Sequence, residues 1–443
     1  MSKSELRVRI APDPAECQVR AATSVYDKLL TAQEAQSIAN RVLGHDVKVQ
    51  KYSLQPFSAE KVGFLGSHQR LCIDVKTKRG TETLSFFVKV IPFDVPSQAD
   101  YVIEKCVFVK ETIFYRDIVP LLYQVYKGEP WTSPCYLVKD SLLVFEDLNH
   151  KGYSIRDKLF NKELIVSGLT AIARIHASSL MAEKRLGTSL KKMYPDAFVE
   201  NAFCHTGKTR AWFDAGISAT VAIAEHLGLD ASFIPEACEE VFLAMKTSPT
   251  KQNVVSHGDL WGNNLMFSGD VPPKCLLVDF QLLRYCPLAH DVAQFLYLCT
   301  DRNFRETWEE TMLKHYYNVL RETINSADSV TIDVPPWSDI VEGMEEQRLG
   351  ALITAVMYYQ TILLSNDFGC EIFNNSANYK KYTFQNRDNV VLESMKKDPV
   401  YYKRLSGAVG ELVELSFRLN DLPKPNFKAD AAATPERKFL QFP

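Results

Sequence analysis

The sequence lacks the features that mark several large classes of protein. Its formal net charge is −3, and it has no long run of lysine and arginine, so a nucleic-acid partner has no electrostatic support. No window approaches the ~18 uninterrupted apolar residues of a membrane-spanning helix. The first residues, MSKSELRVRIAPDPAE, contain no continuous apolar segment of the kind found in a signal peptide. We therefore expect a protein that binds neither nucleic acid nor membrane.

Paired cysteines are missing as well. The ten cysteines are scattered, no CxxC occurs, and most of them lie inside apolar segments. A disulfide framework would be denser, and a zinc site would show paired ligand spacing. We expect reduced thiols, most of them buried and unreactive, in a cytoplasmic protein.

What the chain does have is enough apolar sequence for a large core, with 46% hydrophobic residues among 443. This length predicts two or three domains or lobes. Changes of pattern along the chain divide it into an N-terminal arm with a capped helix (1–47), a small lobe (48–150), a larger lobe (151–425) and a C-terminal tail (426–443).

The small lobe has the pattern of an antiparallel sheet with one helix. Just before it, Thr31 and Glu34 form a T-x-x-E capping box and Gly44 follows as a stop signal, so a helix is predicted between them. RLCIDVK and LSFFVKVI alternate apolar and polar residues on either side of the turn KRGTE, which predicts a hairpin. The stretch YVIEKCVFVKETIFYRDIV predicts one helix, and SLLVFED predicts a further strand.

Helical spacing dominates after Lys151. The predicted helices are KELIVSGLTAIARIHASSLMAEK, RAWFDAGISATVAIAEHL, FIPEACEEVFLAMK, HDVAQFLYLC and EEQRLGALITAVMYYQTILL. The predicted fold class is therefore α+β: a small antiparallel-sheet lobe with one helix is joined to a larger, mostly helical lobe, with a cleft between the two.

One unit of strands and turns, over residues 253–280, interrupts the helices. HGDLWGNN (257–264) is a tight turn after the strand NVV, and a second hairpin runs from LMF through the turn SGDVPPK to CLLVDF. Antiparallel strands pair residues that are symmetric about their turn, so we expect Asn264 and Asp279 to lie close together at the open end of this hairpin. Asp259 lies in the loop that leads into it and can reach the same place.

This arrangement is typical of phosphoryl transfer. An amide oxygen beside a carboxylate supplies the hard oxygen ligands that suit Mg²⁺. In phosphoryl-transfer enzymes an Asp accepts the proton of the substrate hydroxyl, an Asn later in the same loop holds metal, and the Asp of a DF pair gives the second metal ligand. A turn whose side chains only cap their own backbone would explain Asp259 or Asn264, but it would not explain Asp279.

Lys89 stands in the apolar strand FFVKVI, where lysine is disfavoured. The residue either points into the cleft towards nucleotide phosphates or is a charge on an edge strand. A phosphate-binding lysine on a strand is normally held by a helix Glu. The next helix offers Glu104 and Glu111, which are seven residues apart on one face, so spacing alone does not choose between them.

A glycine-containing segment, GFLGSHQRL, precedes the strands of the hairpin and contains Gly63 and Gly66. Such a loop could fold over phosphates. The pattern GxGxxG is absent, however, and an ordinary hairpin turn is the competing interpretation.

These segments together resemble the insect ecdysteroid kinase-like family, within the larger group of choline kinases and aminoglycoside phosphotransferases. The resemblance covers roughly residues 50–420. HGDLWGNN is similar to the catalytic loop of that family, and LLVDFQLLRYCPLAHDVAQFL is similar to its metal-binding strand and the helix with a second Asp. Its F-x2-E-x2-FY helix, lysine strand, hinge and first helix of the second lobe are matched by VFVKETIFYRDIVP, FFVKVIP, VFEDLNHKGY and IARIHASSL.

The resemblance implies a two-lobed, protein-kinase-like fold and a role for each matching residue of the larger lobe. It makes Asp259 the catalytic base. It makes Asn264 and Asp279 the ligands of Mg²⁺. His257 and Asp291 become structural supports of the catalytic loop, although a buried, hydrogen-bonded His is also the ordinary interpretation of His257.

The same resemblance implies an ATP site in the small lobe. It favours Glu111 as the partner of Lys89, and it implies that the hinge backbone near Glu146 and Leu148 contacts adenine. We assign Gly66 to this site as well, although GFLGSHQ departs from the full glycine pattern of kinases.

These patterns predict an ATP- and Mg²⁺-dependent kinase that phosphorylates an alcohol group of a small molecule. The resemblance implies an ecdysteroid, or another lipophilic alcohol or phenol, as acceptor. The apolar and aromatic segment AVMYYQTILLSNDFGCEIF favours the same acceptors, although an apolar helix is also what a core requires. The alternative is a choline, ethanolamine or aminoglycoside kinase, whose cationic substrate needs carboxylates or an aromatic cage.

Two further functions are disfavoured. A catalytically inactive binding module would lack one of the four key residues, and all are present: Asp259, Asn264, Asp279 and Lys89. A protein kinase would carry HRD where this chain has HGD, and no APE-type activation segment follows VDFQ.

Overall fold

An antiparallel sheet of five strands forms the small lobe in the computed structural model, which describes residues 29–57, 66–78, 80–157, 159–326 and 332–424. Gly63 and most of the predicted arm and tail lie outside the described residues. The strands follow the spatial order β1-β2-β3-β5-β4, with bounds β1 (Lys48–Pro56), β2 (Ser67–Thr77), β3 (Gly80–Val90), β4 (Cys135–Lys139) and β5 (Leu142–Glu146).

The predicted hairpin is formed by β2 and β3, which pair His68 with Lys89. One face of the sheet is apolar and packs against α1 (Ala32–Leu43), so Lys89, on the opposite face, is directed to the cleft. The predicted capping box of α1 is present: the N–H of Glu34 donates to Thr31 Oγ1 at 3.2 Å, and the Glu34 carboxylate accepts from the N–H of Thr31 at 2.8 Å. Gly44 closes the helix with φ 71°.

The single helix predicted after the hairpin is wrong, because the chain breaks it at Cys106. This residue adopts the left-handed conformation with φ 55°. The structure has α2 (Pro96–Glu104), then α3 (Val107–Ile113), a π-helical turn over Phe114–Ile118, and α4 (Val119–Val125). The break leaves the Lys105 carbonyl outside a helix, and Asn201 Nδ2 donates to it at 2.9 Å, which satisfies a buried acceptor.

The larger lobe is helical, as predicted, and includes elements that the sequence patterns missed. FIPEACEEVFLAMK forms two short helices, α8 and α9, instead of one, and α11 and α13 to α16 were not predicted individually. The helices of this lobe are α5 (Lys162–Leu186), α6 (Leu190–Met193), α7 (Gly207–His226), α8 (Ile234–Glu239), α9 (Val241–Ala244), α10 (Ala289–Cys299), α11 (Arg302–Asn325), α12 (Trp337–Ile362), α13 (Asn366–Phe373), α14 (Ser376–Phe384), α15 (Asp388–Lys397) and α16 (Pro399–Ser416).

Helix α5 is the one helix of the described ranges that is long and apolar enough to cross a membrane. Of the most apolar 18 residues of α5, 78% are buried inside the protein. The helix packs against α11 and against short strands of the segment 253–280. The core helix of a globular lobe passes the same test of length and composition, so this is weak evidence for a membrane span.

Two antiparallel pairs of short strands position the loop 257–264. The predicted second hairpin is present, whereas the strand NVV pairs with a strand beyond residue 280 that was not predicted. β6 (Asn253–Ser256) pairs with β9 (Arg284–Pro287), and β7 (Leu265–Phe267) pairs with β8 (Cys275–Leu277). Leu265 lies opposite Leu277, and the next pair along is closed by the N–H of Val278, which donates to Asn264 O at 3.0 Å. The predicted hairpin is present, but its register differs by one residue, because Asn264 lies opposite Val278 instead of Asp279.

The predicted strand CLLVDF is too long, because β8 ends at Leu277. Asp279 adopts the left-handed conformation with φ 69°, which an extended strand does not allow. This conformation turns the chain immediately after the hairpin, so Asp279 leaves the sheet and borders the cleft, whereas Phe280 packs into the core against Phe114.

Candidate active site

Asp291, in the first turn of α10, holds the loop 257–264 by its backbone. Its Oδ2 accepts from the N–H of His257 at 2.7 Å, and its Oδ1 accepts from the N–H of Gly258 at 3.0 Å. His176 of α5 contacts the same carboxylate at 3.2 Å. Burial favours the neutral acid, but the hydrogen bond and charge of His176 outweigh it and lower the pKa of Asp291 to about 2. Asp291 therefore remains an ionised, buried anchor.

His257 links this loop to the end of the second hairpin. Its Nε2 lies 2.9 Å from the carbonyl oxygen of Val278, and its Nδ1 accepts from the N–H of Asp259 at 3.2 Å. This pattern requires the tautomer with the proton on Nε2. Burial lowers the pKa of His257, which keeps the ring neutral. The side chain thus fixes the spacing between Asp259 and the segment that carries Asp279.

Gly258 is a point of close contact that the sequence patterns did not single out. Its carbonyl oxygen accepts from Arg284 Nη1 at 2.6 Å and from Gln294 Nε2 at 3.1 Å. Arg284 is buried and pairs with Glu200 at 2.7 Å, so its charge is compensated. Gly258 has φ 75°, and a Cβ atom there would lie 2.2 Å from the carbonyl oxygen of Leu282. Only glycine fits this position without strain.

Asp259 is buried at the bottom of the cleft, where two side chains contact it. Asn264 Nδ2 donates to the carbonyl oxygen of Asp259 at 2.8 Å and to its Oδ2 at 3.0 Å. The hydroxyl of Tyr358, on α12, lies near the same carboxylate: burial, and then the negative charge of Asp259, raises the pKa of that hydroxyl. Burial, with a smaller contribution from the negative charge of Asp279, raises the pKa of Asp259 to about 7. A carboxyl of this kind can both accept and release a proton near neutral pH.

Lys89 lies at the centre of a cluster of acidic and amide groups. Its Nζ is 2.6 Å from Glu111 Oε2, 2.5 Å from Asp279 Oδ1 and 3.1 Å from Gln281 Oε1. Burial opposes the charge on Lys89, but the carboxylates of Asp279 and Glu111 outweigh it and raise the pKa of the lysine. Lys89 therefore remains an ammonium ion. Because Asp279 belongs to the larger lobe, the contact between Lys89 and Asp279 connects the two lobes across the cleft.

Glu111, rather than Glu104, contacts Lys89. One oxygen of Glu111 accepts from Lys89 and the other accepts from the N–H of Phe280 at 3.1 Å. Burial is the main cause that raises the pKa of Glu111, to about 7. Glu104 points elsewhere and pairs with Lys208 at 2.9 Å. The break at Cys106 explains the difference, because the two glutamates belong to different helices and do not share a face.

The predicted hinge lines the same cleft on the side of the small lobe. Glu146 and Leu148 both border the cavity, and Leu148 is buried. The carbonyl oxygen of Leu148 accepts from the N–H groups of Lys151 and Tyr153, each at 3.0 Å. Gly66 lies against the Lys89 side chain, since a Cβ atom there would be 3.4 Å from Lys89 Cε. The residues assigned to nucleotide binding are thus brought together on one side of Asp259.

The cavity continues past Asp259 into the larger lobe, where its wall is aromatic. The Tyr358 ring lies 6.3 Å from that of Trp212, and helices α7, α12, α13 and α14 close this end. The remaining wall of this acceptor end, as we call it, includes Tyr101, Lys105, Met357, Thr361, Ile362, Phe373, Tyr379, Tyr382, Thr383 and Arg387.

The oxygen atoms near Asp259 fit a hydrated hard cation. Because Nδ2 of Asn264 donates to Asp259, its Oδ1 is the atom that a cation could contact. The Asp279 side chain is 28% exposed to the cleft, whereas that of Glu111 is buried. Mg²⁺ typically takes one or two carboxylates and keeps several waters. Within the described ranges there is no group of three or more His, Cys, Asp or Glu that could hold a metal.

Comparison with known proteins identifies the family. Residues 63–329, more than half of the chain, match the model of the ecdysteroid kinase-like family. The chain belongs to that family. It is therefore a small-molecule kinase, and its two lobes, a small antiparallel sheet and a larger helical part, have the expected protein-kinase-like arrangement. No curated protein sequence matches the chain.

Solved structures similar to this ecdysteroid kinase-like chain are remote in sequence. An ethanolamine kinase from Plasmodium vivax has 12% identity and a TM-score of 0.37, over 86% of this chain and 87% of its own. An aminoglycoside phosphotransferase described as putative, from Ralstonia eutropha, has 12% identity and a TM-score of 0.38, over 87% and 98%. A ternary complex with streptomycin and ATP has 14% identity and a TM-score of 0.34, over 82% and 93%. None of these similarities bears on the acceptor.

Two residues of this ecdysteroid kinase-like site, Lys105 and Arg387, carry no signal in the local sequence. Tyr358 lies in the segment AVMYYQTILLSNDFGCEIF, which the sequence analysis associates with the acceptor, but no pattern singled out this residue. Gln281 could have been suspected, because it follows the VDF segment by one position. Only tertiary packing brings Lys105, which follows α2, and Arg387, which precedes α15, to the cavity.

Proposed function

We propose that the chain transfers the γ-phosphoryl group of ATP to a hydroxyl group of a lipophilic small molecule, in a Mg²⁺-dependent reaction. The observation that carries the proposal is the continuous cavity that contacts the hinge and Lys89 at one end, Asp259 in the middle, and the aromatic acceptor end beyond it. Two substrates that enter from opposite ends would meet at Asp259, which is the geometry that in-line transfer requires.

Asp259 is proposed as the group that accepts the proton of the acceptor hydroxyl. Its pKa of about 7, raised mainly by burial, gives it basicity that an exposed Asp does not have. Asn264 donates to this carboxylate, and the hydroxyl of Tyr358 lies near it, so both are proposed to orient it. The bound acceptor displaces water from the aromatic end of the cavity, so the proton is taken from the acceptor rather than from solvent.

Lys89 is proposed to hold the phosphates, and Glu111 to hold Lys89. The ammonium of Lys89 is a compact positive charge at the boundary between the two ends of the cavity. Asn264 and Asp279 would hold Mg²⁺, which neutralises the charge that develops on the transferred phosphoryl group. Glu146 and Leu148 would border the adenine. The N–H of Leu148 has no hydrogen-bond partner in the part of the chain that the structure describes, and it is the donor we assign to adenine.

A lipophilic acceptor, such as an ecdysteroid, is favoured over a cation such as choline or an aminoglycoside. The acceptor end is lined by aromatic and apolar side chains, and its charged residues beyond Asp259 are basic, Lys105 and Arg387. An aromatic wall could also form a cage for a cation, but Lys105 and Arg387 would repel a cationic acceptor at this end. An aromatic cavity instead contributes through buried apolar area, at about 25 cal/mol per Å² before the costs of association.

The test is to incubate the full chain with γ-labelled ATP and Mg²⁺ and to identify the products by mass spectrometry. The acceptor panel contains an ecdysteroid, simpler steroid alcohols, phenols, choline, ethanolamine and an aminoglycoside. We expect a phosphate ester on a steroid or phenol, and loss of that product when the metal is chelated. Phosphocholine or phosphoethanolamine as the only product would overturn the proposed acceptor, and no ester on any alcohol would overturn the kinase function itself.

A further inference from the structure

The acceptor end of the cavity contains two buried cations that have no acidic partner. Arg387 is 1% exposed and Lys105 is 8% exposed, and both line the cavity. Neither forms an ion pair with a carboxylate in the described part of the chain. Both lie against the same indole, with Lys105 Nζ and Arg387 Cζ each 5.7 Å from the centre of the Trp212 ring.

Arg387 is under-used as a hydrogen-bond donor. Its Nη2 donates to the carbonyl oxygen of Trp212, but its Nε and Nη1 have no hydrogen-bond partner among the described residues. The nearby hydroxyl of Tyr382 already donates to the carbonyl oxygen of Gln360 at 2.6 Å. Burial without a counter-charge lowers the pKa of Arg387. A buried guanidinium with three unpaired N–H groups, one on Nε and two on Nη1, is destabilising until a hydrogen-bond acceptor binds to it.

Lys105 is also short of acceptors. Its Nζ lies 3.5 Å from the hydroxyl of Tyr101 and 5.4 Å from the centre of the Tyr101 ring. A hydroxyl oxygen and two aromatic faces stabilise an ammonium less than a carboxylate does. The charge of Lys105 acts on Asp259 in the same cavity, but no acidic residue lines the acceptor end beyond Asp259 among the described residues.

Three other buried cations of the protein have stronger partners. Arg284 pairs with Glu200 at 2.7 Å, and Arg305 pairs with Glu411 at 2.5 Å. Lys110 has three oxygen acceptors between 2.7 and 2.9 Å, although none of them is a carboxylate. Arg387 and Lys105 differ from these residues, because neither has a carboxylate partner or three oxygen acceptors among the described residues.

We propose that the acceptor is acidic: besides the hydroxyl that is phosphorylated, it carries a carboxylate that binds Arg387 and Lys105. This inference rests on the proposed function, and it narrows the acceptor from a lipophilic alcohol to a hydroxylated lipophilic acid. Trp212 contacts both cations, Tyr358 lies near Asp259, and the centres of the two rings are 6.3 Å apart. They would contact the apolar body of such a molecule, while its hydroxyl reaches Asp259 and its carboxylate reaches the cations.

The test compares matched pairs of acid and methyl ester, in which the apolar body and the hydroxyl groups are the same. The pairs are a trihydroxylated steroid carboxylic acid, a long-chain hydroxy fatty acid and a phenolic acid. Binding to the full chain is measured without ATP. In at least one pair we expect the acid to bind about 10- to 100-fold more tightly than its ester, the range for a hydrogen-bonded charge.

The variants test whether Arg387 and Lys105 bind a carboxylate of the acceptor or only stabilise the fold. Arg387→Gln and Lys105→Gln should each remove about tenfold of the preference for the acid and leave affinity for the ester within about threefold. Arg387→Lys keeps the charge and should restore part of the preference. Lys208→Gln, which removes an exposed lysine that pairs with Glu104, is the matched control and should change neither affinity. Circular dichroism and the thermal midpoint show whether each variant is folded.

The outcomes distinguish this inference from the proposed function. If acid and ester bind with equal affinity in all three pairs, the proposal of an acidic acceptor is wrong. The unmodified protein alone is sufficient for this measurement. If a neutral steroid alcohol becomes phosphorylated as efficiently as the matched acids, the inference also fails while the kinase function stands. If an acid binds selectively, depends on Arg387 and Lys105, and yet never becomes phosphorylated by ATP, the binding site is supported and the proposed kinase function fails.

Discussion

Asn264 donates its side-chain amide to Asp259 twice, at 2.8 Å to the carbonyl oxygen and at 3.0 Å to the carboxylate. The proposed metal ligand and the proposed base are therefore one hydrogen-bonded unit. A change in either side chain alters the orientation of the other, so the two cannot be treated as independent sites.

Asp259→Asn should lower kcat by about 10²- to 10⁴-fold, because the substitution keeps the size of the side chain but removes the proton acceptor. The protein should still fold and bind ATP. Steady-state kinetics with a lipophilic acceptor provide the measurement. Asp270→Asn, on the exposed turn of the second hairpin, is the control. Phosphoryl transfer at a normal rate by Asp259→Asn would show that another group takes the proton.

Lys89→Met and Glu111→Gln should each weaken the use of ATP, and the double variant should be no worse than the more damaged single variant. The reason is the contact of 2.6 Å between the two side chains, which makes them one unit. A double-mutant cycle on kcat/KM for ATP measures the coupling. Glu104→Gln, which breaks a pair with Lys208, is the control. Additive losses in kcat/KM would show that Lys89 and Glu111 act independently.

Tyr358→Phe should reduce kcat several-fold, because it removes only the hydroxyl that orients the Asp259 carboxylate. The aromatic ring remains, so KM for a lipophilic acceptor should change little. This division of effects between kcat and KM is what a positioning role predicts. A large rise in KM with kcat intact would instead mean that the hydroxyl contacts the acceptor.

Gly258→Ala should destabilise the fold and disable the catalytic loop. The added Cβ would lie 2.2 Å from the carbonyl oxygen of Leu282 and would meet a φ of 75°. Gly410→Ala, in the interior of α16 with open space around it, is the matched control and should be neutral or stabilising by about 0.5–1 kcal/mol. Thermal unfolding of both variants is the measurement. Equal midpoints for the two would contradict the proposed crowding at Gly258.

Lys110 should make the stability of the protein depend on pH. Burial lowers its pKa from 10.5 to about 7, so between these values the unfolded chain holds a proton that the folded chain has released. The free energy of unfolding should therefore rise with pH through this window, by at most about 1.4 kcal/mol per pH unit. We expect the free energy of unfolding of Lys110→Met, measured with urea at pH 7, 8 and 9, to lack this dependence on pH. Lys76→Met is the control, because it removes the charge of an exposed lysine. Identical slopes would mean that the three oxygen acceptors keep Lys110 protonated.

Local pattern was sufficient for the features that depend on neighbouring residues. The symmetry of the hairpin predicted the approach of Asn264 and Asp279 to within one residue of register, because the register of two short strands is set by their turn. The capping box of α1 was predicted for the same reason. The family resemblance, and not the spacing, selected Glu111 over Glu104.

The features that failed depend on distant contacts. No glycine or proline marks the break at Cys106. The carbonyl group of Lys105, which the break leaves outside a helix, accepts from Asn201, far along the chain. The length of β8 was overestimated because the left-handed conformation of Asp279 is imposed by the cleft. Tyr358 and Arg387 reach the cavity only through the packing of helices, which no local pattern encodes.

The attachment of α3 changes how the boundary at residue 150 should be understood. Two successive residues of this helix, Lys110 and Glu111, are bonded to the larger lobe, through Val199, Asn201, Leu283 and Phe280. These hydrogen bonds attach α3 to the larger lobe, although the sequence pattern assigns α3 to the small lobe. A fragment cut at residue 150 would therefore expose two ionisable groups that evolved as buried ones, and the small lobe should be unable to serve as a transplantable nucleotide-binding module.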